Sequence, residues 1–275
     1  MRIRIRRGWR VCAAALATAP LLLQSRAATA QAKFDGFVLD RFEPSVPVDA
    51  FFGVPSPAIG GHLQPRASIT FDYAHRPFVY DKTATSSIPI VAAQGYLRVA
   101  GSLALWDRLL VSVDVPAALA NSGQDPGVTG VDFHPPSGPA FGDLRLGLRG
   151  RIWGDFRRPF QIGVGSYLHL PTGSKDAYAG EGKVRGDVHV LLGGRAGRGV
   201  GLVWSASGGI KLRASESPLA TFGAGAGVVF GEDRVQIGPE LYGTAQLGGS
   251  ARTVAAPDYE PKMNVTPNAV ALKDD

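Results

Sequence analysis

The sequence predicts an all-β chain, folded as an antiparallel up-and-down transmembrane β-barrel of about ten strands, and three observations carry that reading. Apolar and polar residues alternate with period two from Gly61 onward. The alternating runs are each about ten residues long, the length a tilted strand needs to cross a bilayer. Long and short connections also follow one another strictly, and no stretch carries a helical stripe.

The first run sets Leu63, Ala67, Ile69, Phe71 and Tyr73 against His62, Gln64, Arg66, Ser68, Thr70 and Asp72, which places the two sets on opposite faces of a strand. Leu97, Val99, Leu103 and Leu105 form the next apolar face, followed by Leu109, Val111, Val113 and Val115. Leu144, Leu146, Leu148 and Ile152 then oppose Asp143, Arg145, Arg149 and Arg151. Phe160, Ile162, Val164, Leu168 and Leu170 make a fifth run, and Val188, Val190 and Leu192 oppose Arg185, Asp187 and His189 in a sixth. Leu202, Trp204, Ala206, Ile210 and Leu212 come next, then Phe222, Ala224, Ala226, Val228 and Phe230. The ninth run sets Val235, Ile237, Leu241 and Ala245 against Gln236, Glu240, Tyr242, Thr244 and Gln246. Bacterial barrels have even strand counts, and a tenth strand falls over 263–272, where Pro267 calls for an edge position. The alternative is a truncated larger barrel whose remaining strands are missing.

Residues 77–93, 118–140 and 171–183 are long connections, and 213–218 is intermediate. Residues 106–108, 154–159, 196–199 and the Gly-Glu-Asp-Arg turn at 231–234 are short. Outer-membrane barrels show this asymmetry, with short periplasmic turns and longer extracellular loops, so the barrel's amino-terminal end is expected in the periplasm.

Ahead of the barrel, residues 1–10 are rich in Arg, 11–23 form an apolar run too short to span a membrane, and Ala28, Ala30 and Ala32 supply small residues for cleavage. The reading is a signal peptide over 1–32, an extended periplasmic lead-in over 33–60 and an outer-membrane β-barrel over 61–275. Arg2, Arg4, Arg6, Arg7, Arg10 and Arg26 match the whole formal net charge of +6, so the basic balance belongs to the leader and nucleic acid is excluded as a partner. The single cysteine, Cys12, also lies in the leader, which leaves no thiolate metal site, Cys nucleophile or disulfide beyond it.

Several charges alternate with the apolar residues: Arg66, Asp72, Arg98, Asp114, Asp143, Arg145, Arg149, Arg151, Arg185, Asp187 and Glu240. In the dry core of a soluble protein each would be costly, whereas a wet or ion-paired lumen tolerates them. They are therefore expected to form a charge network facing the barrel lumen.

The sequence carries no recognisable motif for catalysis or cofactor binding. Histidines 62, 75, 134, 169 and 189 show no metal-binding spacing, although His169 and His189 share the polar phase of neighbouring strands. His169, Ser174 and Asp176 lie near one outer turn but make no recognisable nucleophile and base. Asp125 and Asp132 lack EF-hand spacing, and the Gly-Ala-Gly-Ala-Gly stretch at 223–227 is mid-strand, where small residues relieve crowding better than they bind a dinucleotide. No catalytic residue, metal site or cofactor is expected. Trp106, Trp153, Trp204, Tyr73, Phe160 and Phe230 lie near strand ends, the level of an interfacial aromatic girdle.

An ordered set of short stretches adds a family likeness: Phe37-Val-Leu-Asp-Arg-Phe-Glu-Pro-Ser45, Gly61-His-Leu-Gln-Pro-Arg66, Asp72-Tyr-Ala-His-Arg-Pro77, Leu105-Trp-Asp-Arg108, Gly142-Asp-Leu-Arg-Leu-Gly147, Leu170-Pro-Thr-Gly-Ser-Lys-Asp-Ala-Tyr178 and Gly238-Pro-Glu-Leu-Tyr-Gly243. Together they resemble the amino-terminal barrel region of OmpA-family outer-membrane proteins of myxobacterial-type Gram-negative bacteria. The resemblance implies an outer-membrane location reached by export, contact with outer-membrane lipid and handling by the barrel assembly machinery. Family members carry a periplasmic peptidoglycan-binding domain after the barrel; the sequence after residue 247 has no room for it, which puts peptidoglycan contact in doubt. The turn at 170–173 is also similar to that of barrel transporters of aromatic compounds.

The expected role is structural or porin-like, a passive path for small solutes, and not enzymatic. Transport of small aromatic or hydrophobic compounds is the first alternative, and an outer-membrane lipid or peptide hydrolase the second. At about ten strands a barrel is filled by its own side chains, so little or no conductance is expected.

Overall fold

Long alternating runs of Val, Leu, Ile and aromatic residues against polar ones favour extended pairing, and the chain forms one antiparallel sheet. The computed structural model describes residues 37–83, 86–127, 134–214, 216–231, 234–248 and 265–267. The chain divides into Met1–Lys33 and Phe34–Asp275, and every described residue lies in the second unit. The signal-peptide region 1–32 is outside the described residues.

The strands are β1 (Gln64–Thr83), β2 (Ser86–Leu105), β3 (Leu109–Ser122), β4 (Ala140–Phe141), β5 (Leu144–Trp153), β6 (Gln161–Leu170), β7 (Arg185–Arg198), β8 (Val200–Arg213), β9 (Glu216–Phe230), β10 (Val235–Ile237), β11 (Glu240–Gln246) and β12 (Val265–Pro267). They pair in sequence order, up and down, with β4 and β5 both on β3 and β10 and β11 both on β9. Each of those couples is one traverse interrupted by Gly142-Asp143 or Gly238-Pro239. β12 adds to the free side of β1, pairing Val265 with Tyr80 and Pro267 with Phe78, inside the expected tenth strand and with its proline at the sheet edge. Among the described residues no ladder joins β11 to β1 or β12, and Leu241, Tyr242 and Thr244 are all exposed on this edge.

The short turns expected at 106–108 and 154–159 are present, whereas β7 and β8 pair through to Arg198 and Val200, so the turn expected over 196–199 narrows to Gly199. Trp106 and Asp107 both have positive φ, 51° and 55°, in the tight turn between paired Leu105 and Leu109 that the Arg108 amide closes on the Leu105 carbonyl, here without glycine. The first long connection differs from expectation. Instead of a loop over 77–93, β1 and β2 continue as a paired hairpin to Thr83 and Ser86. Phe78, Tyr80, Ile90 and Val91 pack there with Leu39 and Tyr178, so the residues are buried on both phases and the alternation that marks a half-exposed strand disappears.

The two faces of the sheet are inverted relative to a soluble protein. Ile69, Phe71, Val99, Leu148, Val188, Val190, Leu202, Ile210 and Leu241 are exposed on the convex face. Arg98, Asp114, Arg145, Arg149, Arg151, Arg185, Asp187 and Lys211 are buried on the concave one.

Segment 37–60 covers that concave face. It has neither helix nor strand, as expected of an extended lead-in, but it lies inside the curl of the sheet, with Leu39, Val54 and Ile59 at most 1% exposed. The small residues of β6, β7 and β9 make room for it. A Cβ on Gly225 would come within 2.8 Å of Phe51, one on Gly223 within 3.2 Å of Val54, and one on Gly193 within 3.0 Å of Pro57. The glycine-rich stretch of β9 is therefore a lane for the inner segment, as the crowding argument anticipates.

Candidate functional site: the charged interior

Strand register assembles the interior charges. Asp114 on β3 faces Arg145 on β5, Arg145 faces His169 on β6, and His169 faces Arg185 on β7, which makes one cross-strand row. The next row runs from Tyr167 through Asp187 to Lys211. Directly opposed residues of an antiparallel pair are close enough to interact, so alternation plus register builds the network without any loop.

Arg98 holds Asp40 of the inner segment and also lies 3.4 Å from Asp114 and 3.6 Å from Asp72. Arg145 bridges to Asp114 at 3.1 Å, donates to the Pro44 carbonyl at 2.5 Å, and rests 4.9 Å from the centre of the Tyr167 ring. Arg185 pairs with Asp143 at 3.2 Å and Glu181 at 3.1 Å. Asp143 also accepts the Gly173 and Glu181 amides, and so fastens the long connection between β6 and β7 over the same end of the interior.

Lower down, Arg149 grips Asp49 bidentately, both contacts 2.8 Å. The Asp49 side chain is fully buried and also accepts the Val46 and Ser56 amides and the Ser56 hydroxyl. A buried carboxylate with this many donors has its desolvation offset by charge-assisted hydrogen bonds. Arg151 and Arg66 donate to the carbonyls of Ile59 and Gly60, and Glu240 accepts the Gly53 amide at 3.1 Å. Lys211 reaches both carboxyl oxygens of Glu43 at 2.5 Å.

Two inner-segment carboxyls are displaced in opposite directions. Burial pushes Asp40 up, and the Arg98 charge only partly opposes it. Burial also acts to raise Glu43, but Lys211, His169, Arg145 and Arg185 together hold it well below the usual carboxylate range. A cavity of about 20 Å³ remains between segment and wall, lined by Glu43, Tyr96, Arg98, Arg145 and His169 among others. That is room for a single water.

All eleven residues expected in the lumen network lie on the concave face or at its rim, but three of them, Arg66, Arg151 and Glu240, meet backbone groups of the inner segment instead of opposite charges. The sequence reading missed the other half of the network, Asp40, Glu43 and Asp49. The available signal was three carboxylates within ten residues of a segment with no periodicity, ahead of an Arg-rich polar face.

The remaining candidates have structural roles. His62 stacks on Trp106 at the short-turn rim and accepts its amide. Ser174 accepts the Ala177 amide within its turn, while His169 faces Glu43 and Asp187. Asp125 caps its own loop by accepting the Gly127 amide; Asp132 lies outside the described residues. Trp153, Phe160 and Trp204 form a contiguous aromatic row at the short-turn rim, with centroids 5.6 and 5.7 Å apart.

No protein-family model, curated protein or solved structure matches the chain.

Proposed function

We propose that this chain is an outer-membrane β-barrel closed by its own amino-terminal segment, a structural component with little or no passive conductance. One observation carries the reading: the face rich in Arg and Asp is buried while the Leu, Ile, Val and Phe face is exposed on successive strands. Soluble monomers rarely expose a continuous apolar band, and lipid is the solvent that makes one favourable. The aromatic row at the short-turn rim suits the membrane interface, and the row's short turns suit the periplasmic side. In this reading outer-membrane lipid and the assembly machinery are the partners, and the chain is not an enzyme.

The plug supports closure over permeation. Asp40, Glu43 and Asp49 neutralise wall cations on β2, β8 and β5, and their segment fills the space a solute would need. The test has two parts. Protein extracted from membranes should run as a compact species on a detergent gel until it is boiled, and in planar bilayers it should show no steady channel. Release by osmotic shock without detergent would overturn the membrane reading; a stable open channel in the wild type would overturn the plug.

A further inference from the structure

We infer that the interior holds a zinc-binding site made by Glu43, His169 and Asp187, which fastens the inner segment to the wall. Their donor atoms lie within 4.8 Å of one another, in a group drawn from three separate elements. His169 Nε2 is 3.5 Å from Asp187 Oδ2 and 3.9 Å from Glu43 Oε1. A tetrahedral ion with bonds of about 2.0–2.1 Å sets its ligands roughly 3.3 Å apart, so a small inward movement of the donors completes the geometry.

The second observation is that two of the three donor atoms are buried without a hydrogen bond. His169 and Asp187 are each 3% exposed, and His169 Nε2 and Asp187 Oδ2 face each other at 3.5 Å without either making a hydrogen bond. Buried polar atoms without partners are rare and cost free energy unless something binds them. The adjacent cavity, lined by Glu43 and His169, provides room for a water as fourth ligand.

The surroundings are those of a metal site. Asp187 Oδ1 is taken by His189 Nε2 at 2.7 Å and by the Tyr167 amide at 3.2 Å, which leaves Oδ2 pointing at His169. Thr221 in turn contacts His189 Nδ1 at 3.3 Å, so an outer shell orients the carboxylate. His169 and Asp187 are fixed on adjacent paired strands, whereas Glu43 is on irregular chain and is the ligand free to adjust. Lys211 now bridges both Glu43 oxygens and has to release one for the ion to bind. One imidazole and two carboxylates suit Zn²⁺ over Ca²⁺ or Mg²⁺, which take oxygen alone.

The test is titration of the whole folded chain in detergent with Zn²⁺ by calorimetry and with Co²⁺ by visible absorption. The expected result is one ion per chain, an intense tetrahedral Co²⁺ spectrum, and loss of both in His169→Gln and Asp187→Asn. His75→Gln, altered at an exposed position, should bind as the wild type does. His189→Gln should weaken binding by about 10- to 100-fold. Absence of stoichiometric Zn²⁺ uptake by the wild type, or uptake unchanged in both ligand variants, would overturn the site. Should those variants not fold, the wild-type spectrum decides alone, since a pale octahedral Co²⁺ spectrum refutes it. None of these readouts depends on whether the barrel conducts.

Discussion

The two halves of β1 obey opposite rules. In the lower half Ile69, Phe71 and Tyr73 point away from the sheet's interior and are 74%, 64% and 59% exposed. In the upper half Phe78 and Tyr80 are 0% and 6% exposed and pack on Leu39, Ile90 and Tyr178. Between them the pairing with β2 slips, at Arg76 and Pro77, and Arg76 takes a positive φ of 49°. Phe78 and Tyr80 keep the inward phase of the even positions below, but Val79 between them is 8% exposed as well, so above the slip the strand is covered on both faces. The lower half is built for an apolar surrounding. The upper half is built like a soluble protein, with Phe37 and Tyr178 joining Phe78 at ring centroids of 5.3 and 5.7 Å.

The sharpest way to break this contrast is to truncate one aromatic from each half. Phe78→Ala should cost about 3–5 kcal/mol, the range for a buried Phe. Phe71→Ala should cost only a small fraction of that in detergent, where the ring's surroundings are fluid on both sides of the transition. Urea unfolding followed by tryptophan fluorescence checks both, and equal losses would erase the distinction.

A loss of similar size is expected from the lower interior. Arg149→Met strands the buried Asp49 carboxylate and should cost about 3–5 kcal/mol, while the double variant with Asp49→Leu should recover most of it. A double-mutant cycle in the same unfolding assay measures the coupling. No recovery would mean that Asp49 matters through its turn contacts with Val46 and Ser56 more than through the ion pair.

Next in size is a charge placed on the convex face. Val190, 54% exposed on β7, should cost about 2–4 kcal/mol as Val190→Arg when the protein refolds into lipid vesicles. An unchanged yield and stability would place that face in water and favour a soluble barrel.

The smallest effect is expected from pH. Glu43 is held below the ordinary carboxylate range, so its contribution is fully present above the unfolded value near 4.5 and is lost as pH falls through the lower folded value. Glu43→Gln should remove that acid-side loss, and the difference between the two profiles separates Glu43 from Asp40, whose raised pKa acts with the opposite sign. Acid unfolding curves that superimpose would show that Lys211 does not anchor the inner segment.

Period-two alternation was enough to locate the strands outside the upper β1–β2 hairpin and to tell which phase of each carries the charges, because a strand's side-chain direction depends only on local geometry. The short turns at 106–108 and 154–159 were legible for the same reason. Where a residue's environment depends on a distant partner, the sequence is silent. Phe78 and Ile90 read as loop because burial on both phases leaves no period to see, and the bulge at Arg76 is set by pairing with β2. Asp40, Glu43 and Asp49 have no pattern of their own; only the folded sheet brings Arg98, Lys211 and Arg149 to them. The convergence of Glu43, His169 and Asp187 is likewise a matter of register and of the inner segment's path. Local chain geometry therefore determined which face is charged, and tertiary packing alone decided what that face holds.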